Sequence, residues 1–176
     1  MSAHPIEIAN TARLRLRLVH AGDAQVYLEL LNDPTFIQYI GDRGVRTLEA
    51  AVKSIEDGPV TMQRERGHSM YLVEERESGQ PVGLSGLIKR DYLEHVDIGY
   101  AFLPRYRGLG YAFEAAQAVA NHARELGLPH LAAIVDPENE ASIGLLLRLG
   151  MRFERFAVLV EGQPGLNVYG MALARV

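Results

Sequence analysis

From Thr11 to Val19 arginine and leucine alternate, Arg13-Leu14-Arg15-Leu16-Arg17-Leu18, the period-two pattern of a strand with one buried face. Gly22-Asp23 closes that strand, and Asp23 is placed to cap a helix running to about residue 31, which Asp33-Pro34 breaks. Thr47 is the expected N-cap of a second helix, over residues 48–55, with Gly58-Pro59 as its stop. The middle of the chain then reads as an antiparallel meander. A strand over residues 70–75, a turn at Ser78-Gly79-Gln80-Pro81 and a strand over 82–89 are followed by a polar turn near Asp91 and a strand over 96–103. There the period changes. Gly108-Leu109-Gly110 opens a long alanine-rich helix that runs to residue 126 and stops at Gly127. A strand over 131–135, a helix over 140–149 and two terminal strands near 151–160 and 166–174 complete the chain.

The predicted order is β-α-α-β-β-β-α-β-α-β-β. An antiparallel meander that runs into one βαβ unit implies an α/β fold, a mixed sheet with helices on both faces. The crossover is expected to be right-handed, which makes the strands flanking the long helix parallel neighbours. At 176 residues the chain has the length of one domain, expected over residues 11–176 with residues 1–10 as an N-terminal extension. Apolar residues at 48% and charged residues at 23% are ordinary for a packed core and exclude disorder, collagen and coiled coil as descriptions of the whole.

Cysteine is absent. That removes a disulfide framework, a cysteine nucleophile, iron–sulfur clusters and thiolate zinc sites. The six histidines (4, 20, 68, 95, 122 and 130) form no i, i+4 pair within a metal motif, so no metal is expected. A net charge of −4 argues against a nucleic-acid surface. The start, Met1-Ser2-Ala3-His4-Pro5-Ile6-Glu7, lacks a basic region followed by an apolar one, and no window approaches 18 apolar residues. Neither signal peptide nor membrane span is expected, and the expected compartment is the cytoplasm. Monomer and homodimer both stay open, since a terminal strand edge can pair with a second subunit or be covered by the chain itself.

The most informative segment follows the meander: Pro104-Arg105-Tyr106-Arg107-Gly108-Leu109-Gly110-Tyr111-Ala112. A helix start presents unpaired N–H groups and the positive end of its dipole, and glycines at 108 and 110 let an anion approach the backbone. Arg107 adds a cation, and a pyrophosphate is the natural ligand. A Walker loop fails because Tyr111 follows the last glycine where Lys-Ser/Thr is required. A dinucleotide fingerprint fails because position 113 is Phe and the loop follows an antiparallel meander. A turn with no ligand is the plain structural reading.

Arg107-Gly108-Leu109-Gly110-Tyr111-Ala112 resembles the Arg/Gln-x-x-Gly-x-Gly/Ala loop of the GNAT superfamily of N-acetyltransferases. The resemblance extends to Val82-Gly83-Leu84-Ser85-Gly86-Leu87, to Asp97-Ile98-Gly99-Tyr100-Ala101-Phe102, and to Asn139-Glu140-Ala141-Ser142 followed by Leu149-Gly150-Met151. It covers nearly the whole chain, from about residue 11 to 174, and looks most like the ribosomal-protein N-terminal acetyltransferases. Met151 departs from it, standing where an aromatic residue is usual. The resemblance implies that residues 107–112 hold the pyrophosphate of acetyl-CoA. It also implies that the strand bearing Gly99, Tyr100, Ala101 and Phe102 splays from its parallel neighbour so that the pantetheine arm fills the gap. Asn139 is then expected on the cofactor arm, and Ser142 hydrogen-bonded to the coenzyme thiol. As Asn and Ser are favoured caps, a helix start alone also accounts for both.

Acetyl transfer to an amine needs a held donor, a neutral amine, a stabilised oxyanion and a leaving thiolate that is met. Without cysteine no thioester acyl-enzyme forms, and direct attack in a ternary complex is the simplest scheme. The strand Ile98-Gly99-Tyr100-Ala101 is the expected source of a backbone donor for the oxyanion. Along it Asp97, Gly99 and Ala101 share one face, a carboxylate followed by two small residues, which makes Asp97 the leading general-base candidate. Its usual pKa near ~3.9 makes it a weak base unless burial raises it, and a structural or substrate-orienting carboxylate is the competing reading. Gly83-Leu84-Ser85-Gly86 only superficially resembles a nucleophile elbow, because Leu87 follows and no helix does. His68 and His95 flank strands near the presumed site and are candidates for proton transfer or for surface and lid positions. Residues 36–46, with Tyr39, Gly41 and Gly44, are expected to shape the acceptor site. The acceptor expected first is a protein or peptide N-terminus. The alternatives are a small amine, such as a polyamine or an aminoglycoside, and a non-catalytic acyl-CoA-binding module.

Overall fold

The computed structural model describes residues 4–175. Its elements are β1 (Glu7–Asn10), β2 (Leu14–Leu18), α1 (Ala24–Leu31), α2 (Pro34–Tyr39), α3 (Leu48–Ile55), α4 (Thr61–Arg66), β3 (Met70–Glu75), β4 (Pro81–Ile88), β5 (Asp97–Phe102), α5 (Tyr111–Glu125), β6 (His130–Val135), α6 (Glu140–Leu149), β7 (Arg152–Ala157) and β8 (Leu166–Ala172). The strands form one mixed sheet in the order β1-β2-β3-β4-β5-β6-β8-β7. Every neighbouring pair is antiparallel except β5 and β6.

Each face of the sheet carries its own core. On one, Leu14, Leu16, Tyr71, Leu87 and Ile98 meet the alanines of α5, Ala115, Ala116 and Ala120, whose small side chains let that helix lie close to the sheet. On the other, Leu72, Leu84 and Leu103 meet Leu30, Ala51 and Ile55 from α1 and α3. The odd and even positions of β3 thus serve different cores, as strand alternation requires.

Four expectations are corrected. Residues 7–10, assigned to an extension, form β1, which pairs with β2 and packs Ile8 and Ala9 on the core; Met1–Ala3 lie outside the described residues. Asp33-Pro34 does more than break a helix: the Asp33 side chain accepts from the Phe36 N–H and starts α2. Gly58-Pro59 does not stop α3. A π turn over Glu56–Val60 carries the helix on into α4, and Gly67 in the left-handed region ends it. The wider turn accommodates a proline ring that clashes with the preceding turn of an α-helix. Asp23 stands at the start of α1 but makes no side-chain bond to it. Its carboxylate is instead held by both terminal nitrogens of Arg17, at 2.9 and 2.8 Å, and by the His20 N–H.

The feature that positions the site is the join of β5 and β6. Only Asp97 pairs with Ala132, backed by the Ala132 N–H to Val96 carbonyl bond of 2.9 Å. Beyond it the strands part. The edge of Gly99–Phe102 that faces β6 therefore has no strand partner among the described residues, while β6 stays fully paired to β8.

Candidate active site

The chain leaves β5 through a single 3-10 turn, Pro104–Tyr106, and enters α5 through two glycines in the left-handed region, Gly108 (φ +76°) and Gly110 (φ +82°). A Cβ on Gly110 would also meet Arg13 Nη2 at 3.2 Å. Only glycine holds that backbone without strain. As the N-cap of α5, Gly110 offers no side chain to the first-turn N–H groups, which leaves them for an anion. Glu114 and Arg13 fasten the turn from outside. Glu114 accepts from Thr11 Oγ1 (2.6 Å) and from Arg13 Nε (2.7 Å), and Arg13 Nη1 donates to the Leu109 carbonyl (2.8 Å).

Arg107 is not the free cation that its sequence position implies. Its guanidinium donates to Asp33 Oδ2 (2.6 Å), Thr35 Oγ1 (3.2 Å) and the Phe102 carbonyl (3.1 Å). Asp33 is 7% exposed and is neutralised by this pair. Arg107 therefore ties the loop to the start of α2, and backbone N–H groups supply the loop's attraction for an anion.

Between loop, β5, α2 and α6 lies a groove of about 470 Å³. Of the residues singled out from the sequence, Tyr100, Ala101, Phe102, Arg107, Gly108, Gly110, Tyr111, Ala112, Asn139 and Ser142 line it; Asp97, Gly99 and Leu109 do not. Phe36, Tyr39 and Ile40 form the α2 wall, inside the segment 36–46 expected to shape the acceptor site. Phe113 and Arg148 also line it. Sequence reasoning missed both, although Ala141, Gly144, Leu145 and Arg148 recur at helical spacing on a leucine-rich helix, a stripe too poor in bulk to face a core.

Ser142 sits in the first turn of α6. Its N–H bonds Asn139 Oδ1 (3.2 Å), so Asn139 caps the helix as well as lining the groove. The Ser142 hydroxyl lies 2.5 Å from the Tyr100 hydroxyl, whose pKa burial pushes up to about 12. Tyr100 therefore stays protonated at any working pH.

Asp97 is 1% exposed and bonded to Arg90 Nε at 3.1 Å. Burial raises its pKa to about 6 against the opposing pull of Arg90. Folding thus makes the carboxyl harder to ionise. Its contribution to stability is full below the ordinary carboxylate range and is lost as pH rises through about 6. The two histidines considered also lie elsewhere. His68 is buried with Nδ1 3.2 Å from the Leu87 carbonyl, and His95 stacks on His130 at 4.2 Å between ring centroids.

The acetyltransferase (GNAT) domain family matches residues 13–152. The chain belongs to the GNAT acetyltransferases. Among curated relatives of this GNAT chain, the uncharacterized N-acetyltransferase YoaA of Bacillus subtilis is 28% identical over 174 residues, 96% of this chain and 98% of its own. RimL, the ribosomal L7/L12 alpha-N-protein acetyltransferase solved with coenzyme A, superposes with a TM-score of 0.81 at 19% identity, covering 95% of this chain and 98% of its own. The spermidine N-acetyltransferase of Vibrio cholerae, solved with CoA and spermine, gives 0.76 at 16% identity, covering 93% and 97%. At such identities the two structures share the fold with this chain. As a GNAT acetyltransferase the chain uses acetyl-CoA as its acyl donor. The groove suits that donor, with an uncapped helix start and left-handed glycines for the pyrophosphate and an unpaired strand edge beside the parted strands.

Proposed function

We propose that this enzyme acetylates the α-amine of a peptide or protein N-terminus, by direct attack with donor and acceptor bound together. The observation that carries this reading is the lack of a free base among the described residues lining the groove. Asp33 is committed to Arg107, and the lining holds no histidine and no other carboxylate. The attacking amine must be neutral, so the acceptor has to bring its own neutral fraction. An α-amine with a pKa near ~7.8 is roughly one-third neutral at pH 7.5, whereas a lysine-like amine near ~10.4 is neutral on the order of one time in a thousand. A polycation would also want carboxylates. It would meet Phe36, Tyr39 and Ile40 instead, a wall suited to an uncharged side chain beside the amine.

In this scheme the amine nitrogen attacks the thioester carbonyl and loses its proton to water. An N–H on the free edge of β5 meets the oxyanion, and the C–S bond breaks to release the coenzyme as thiolate. Ser142, with its hydroxyl on Tyr100, faces the departing sulfur. Asp97 acts as a positioning residue: with Arg90 it holds the point where β5 and β6 join.

Thiol release from acetyl-CoA, measured over peptides, polyamines and aminoglycosides, tests this. Peptides with a free α-amine and an uncharged first side chain are expected to exceed spermidine in kcat/KM by at least about tenfold. A polyamine or aminoglycoside faster than every peptide overturns the acceptor class, and no release with any amine makes the chain an acyl-CoA-binding module. The pH profile tests the absence of a base. kcat/KM is expected to rise with an apparent pKa near ~8, set by the acceptor, in wild type and Asp97→Asn alike, with turnover of the variant within about tenfold. A rise centred at about 6 that disappears in Asp97→Asn would make Asp97 the base.

A further inference from the structure

We propose that Arg148, held on the face of Phe113, is the seat of the 3′-phosphate of coenzyme A. The assignment rests on the donor reading of the groove given above. The groove is lined by two arginines. Arg107 is neutralised by Asp33. Arg148 has no carboxylate or carbonyl partner among the described residues, and its guanidinium carbon lies 3.8 Å from the centroid of the Phe113 ring. An exposed arginine with nothing to bond is ordinarily a floppy side chain. Here a flat aromatic surface holds the planar cation, an arrangement that fixes its donors without occupying them.

Its place in the groove fits one particular anion. Phe113 belongs to the first turn of α5, so the guanidinium stands over the same turn whose N–H groups face the pyrophosphate. Along α6, Ser142 lies at the thiol end, and Arg148 follows six residues later, about 9 Å further on at ~1.5 Å per residue. Coenzyme A carries its third phosphate on the ribose next to the pyrophosphate, and so presents it near that turn. The two phosphate groups differ in what they want. A pyrophosphate bridged along a chain suits a row of backbone N–H groups, while a terminal phosphomonoester offers free oxygens to the paired donors of a guanidinium. The structure supplies one of each, in the order in which the donor needs them.

Titration calorimetry with coenzyme A and with 3′-dephospho-coenzyme A separates this contact from the rest of the groove. Wild type is expected to bind coenzyme A about tenfold tighter than the dephospho form, at the lower end for a charged hydrogen bond because Arg148 is exposed. In Arg148→Ala the two affinities are expected to converge on the wild-type value for the dephospho form. Arg148→Lys keeps a charge without the fork and should keep part of the preference. In Phe113→Leu the preference should shrink while dephospho affinity holds; a Phe113→Leu loss equal for both ligands would mean that the ring stacks on adenine instead. A preference that survives Arg148→Ala, or an equal loss of both ligands in that variant, overturns the assignment and leaves the donor groove standing. Failure of wild type to bind either ligand would overturn the donor groove itself, and this assignment with it.

Discussion

Ser142→Ala is expected to lower turnover about a hundredfold while leaving coenzyme A affinity within about threefold. The hydroxyl lies in the first turn of α6, where the positive end of the helix dipole already favours negative charge. The Tyr100 hydroxyl, 2.5 Å away, is held protonated and can donate to Ser142 Oγ, which frees the serine proton for the sulfur. In the proposed scheme such a contact would strengthen as charge develops on the leaving thiolate, so its loss is expected to fall on kcat and not on binding. Tyr100→Phe keeps the ring and removes the donor, and should cost roughly tenfold by the same route. Ser142→Thr keeps a hydroxyl and should restore most of the rate. Steady-state kinetics at saturating acceptor, with direct titration of the coenzyme, checks both parameters. Unchanged turnover in Ser142→Ala would remove the serine from the chemistry.

Arg17→Met is expected to destabilise the fold by about 3–5 kcal/mol, read from urea unfolding as a lower midpoint at unchanged slope. Arg17 is 6% exposed and satisfies two buried carboxylates at once, Asp23 at 2.8 Å and Glu74 at 2.6 Å. Taking away this guanidinium leaves Asp23 without its arginine partner and Glu74 with Arg15 alone, both on the α1 side of the sheet. Neutralising the partners as well, in Arg17→Met/Asp23→Asn/Glu74→Gln, should recover a good part of the loss, because uncompensated charge causes most of it. If the triple variant is the least stable of the set, the cost lies in lost hydrogen bonds and packing.

Arg17 also shows where sequence pattern stops being informative. The alternation of residues 13–18 correctly marks a strand and its leucine face, but it treats the three arginines alike. Arg13 binds the cofactor-loop region, Arg15 is exposed, and Arg17 is buried. Those differences are set by what lies opposite each: Glu114, and Glu74 with or without Asp23. Glu114 and Glu74 lie far along the chain, and even Asp23, six positions on, lies past the end of the strand that the period describes. The same holds at the site. Gly108 and Gly110 were legible because a left-handed backbone leaves a mark on residue type. Arg107 is legible as a member of the loop but not as a paired cation, because its partner Asp33 comes 74 positions earlier. Asp97 was correctly placed on the face shared with Gly99 and Ala101; its separation from the groove depends on Arg90 and on depth, which a period-two count does not measure. The π turn at Gly58-Pro59 was unreadable for a simpler reason, since a proline signals a helix end more often than a widened turn.

The single ladder pair at Asp97 and Ala132 divides the sheet into five strands and three strands. On one face a single core runs across the division, with Leu87 and Ile98 on one side of it and Leu131 and Ala133 on the other. Each part has its own complete ladder, and the amides at the seam are expected to exchange faster than those inside either ladder. A donor bound in the groove adds its binding free energy to that of the folded chain. Occupancy and folding stability are then the same free energy viewed from two sides. The one ladder pair that joins β5 to β6 is thus also the thinnest seam of the sheet.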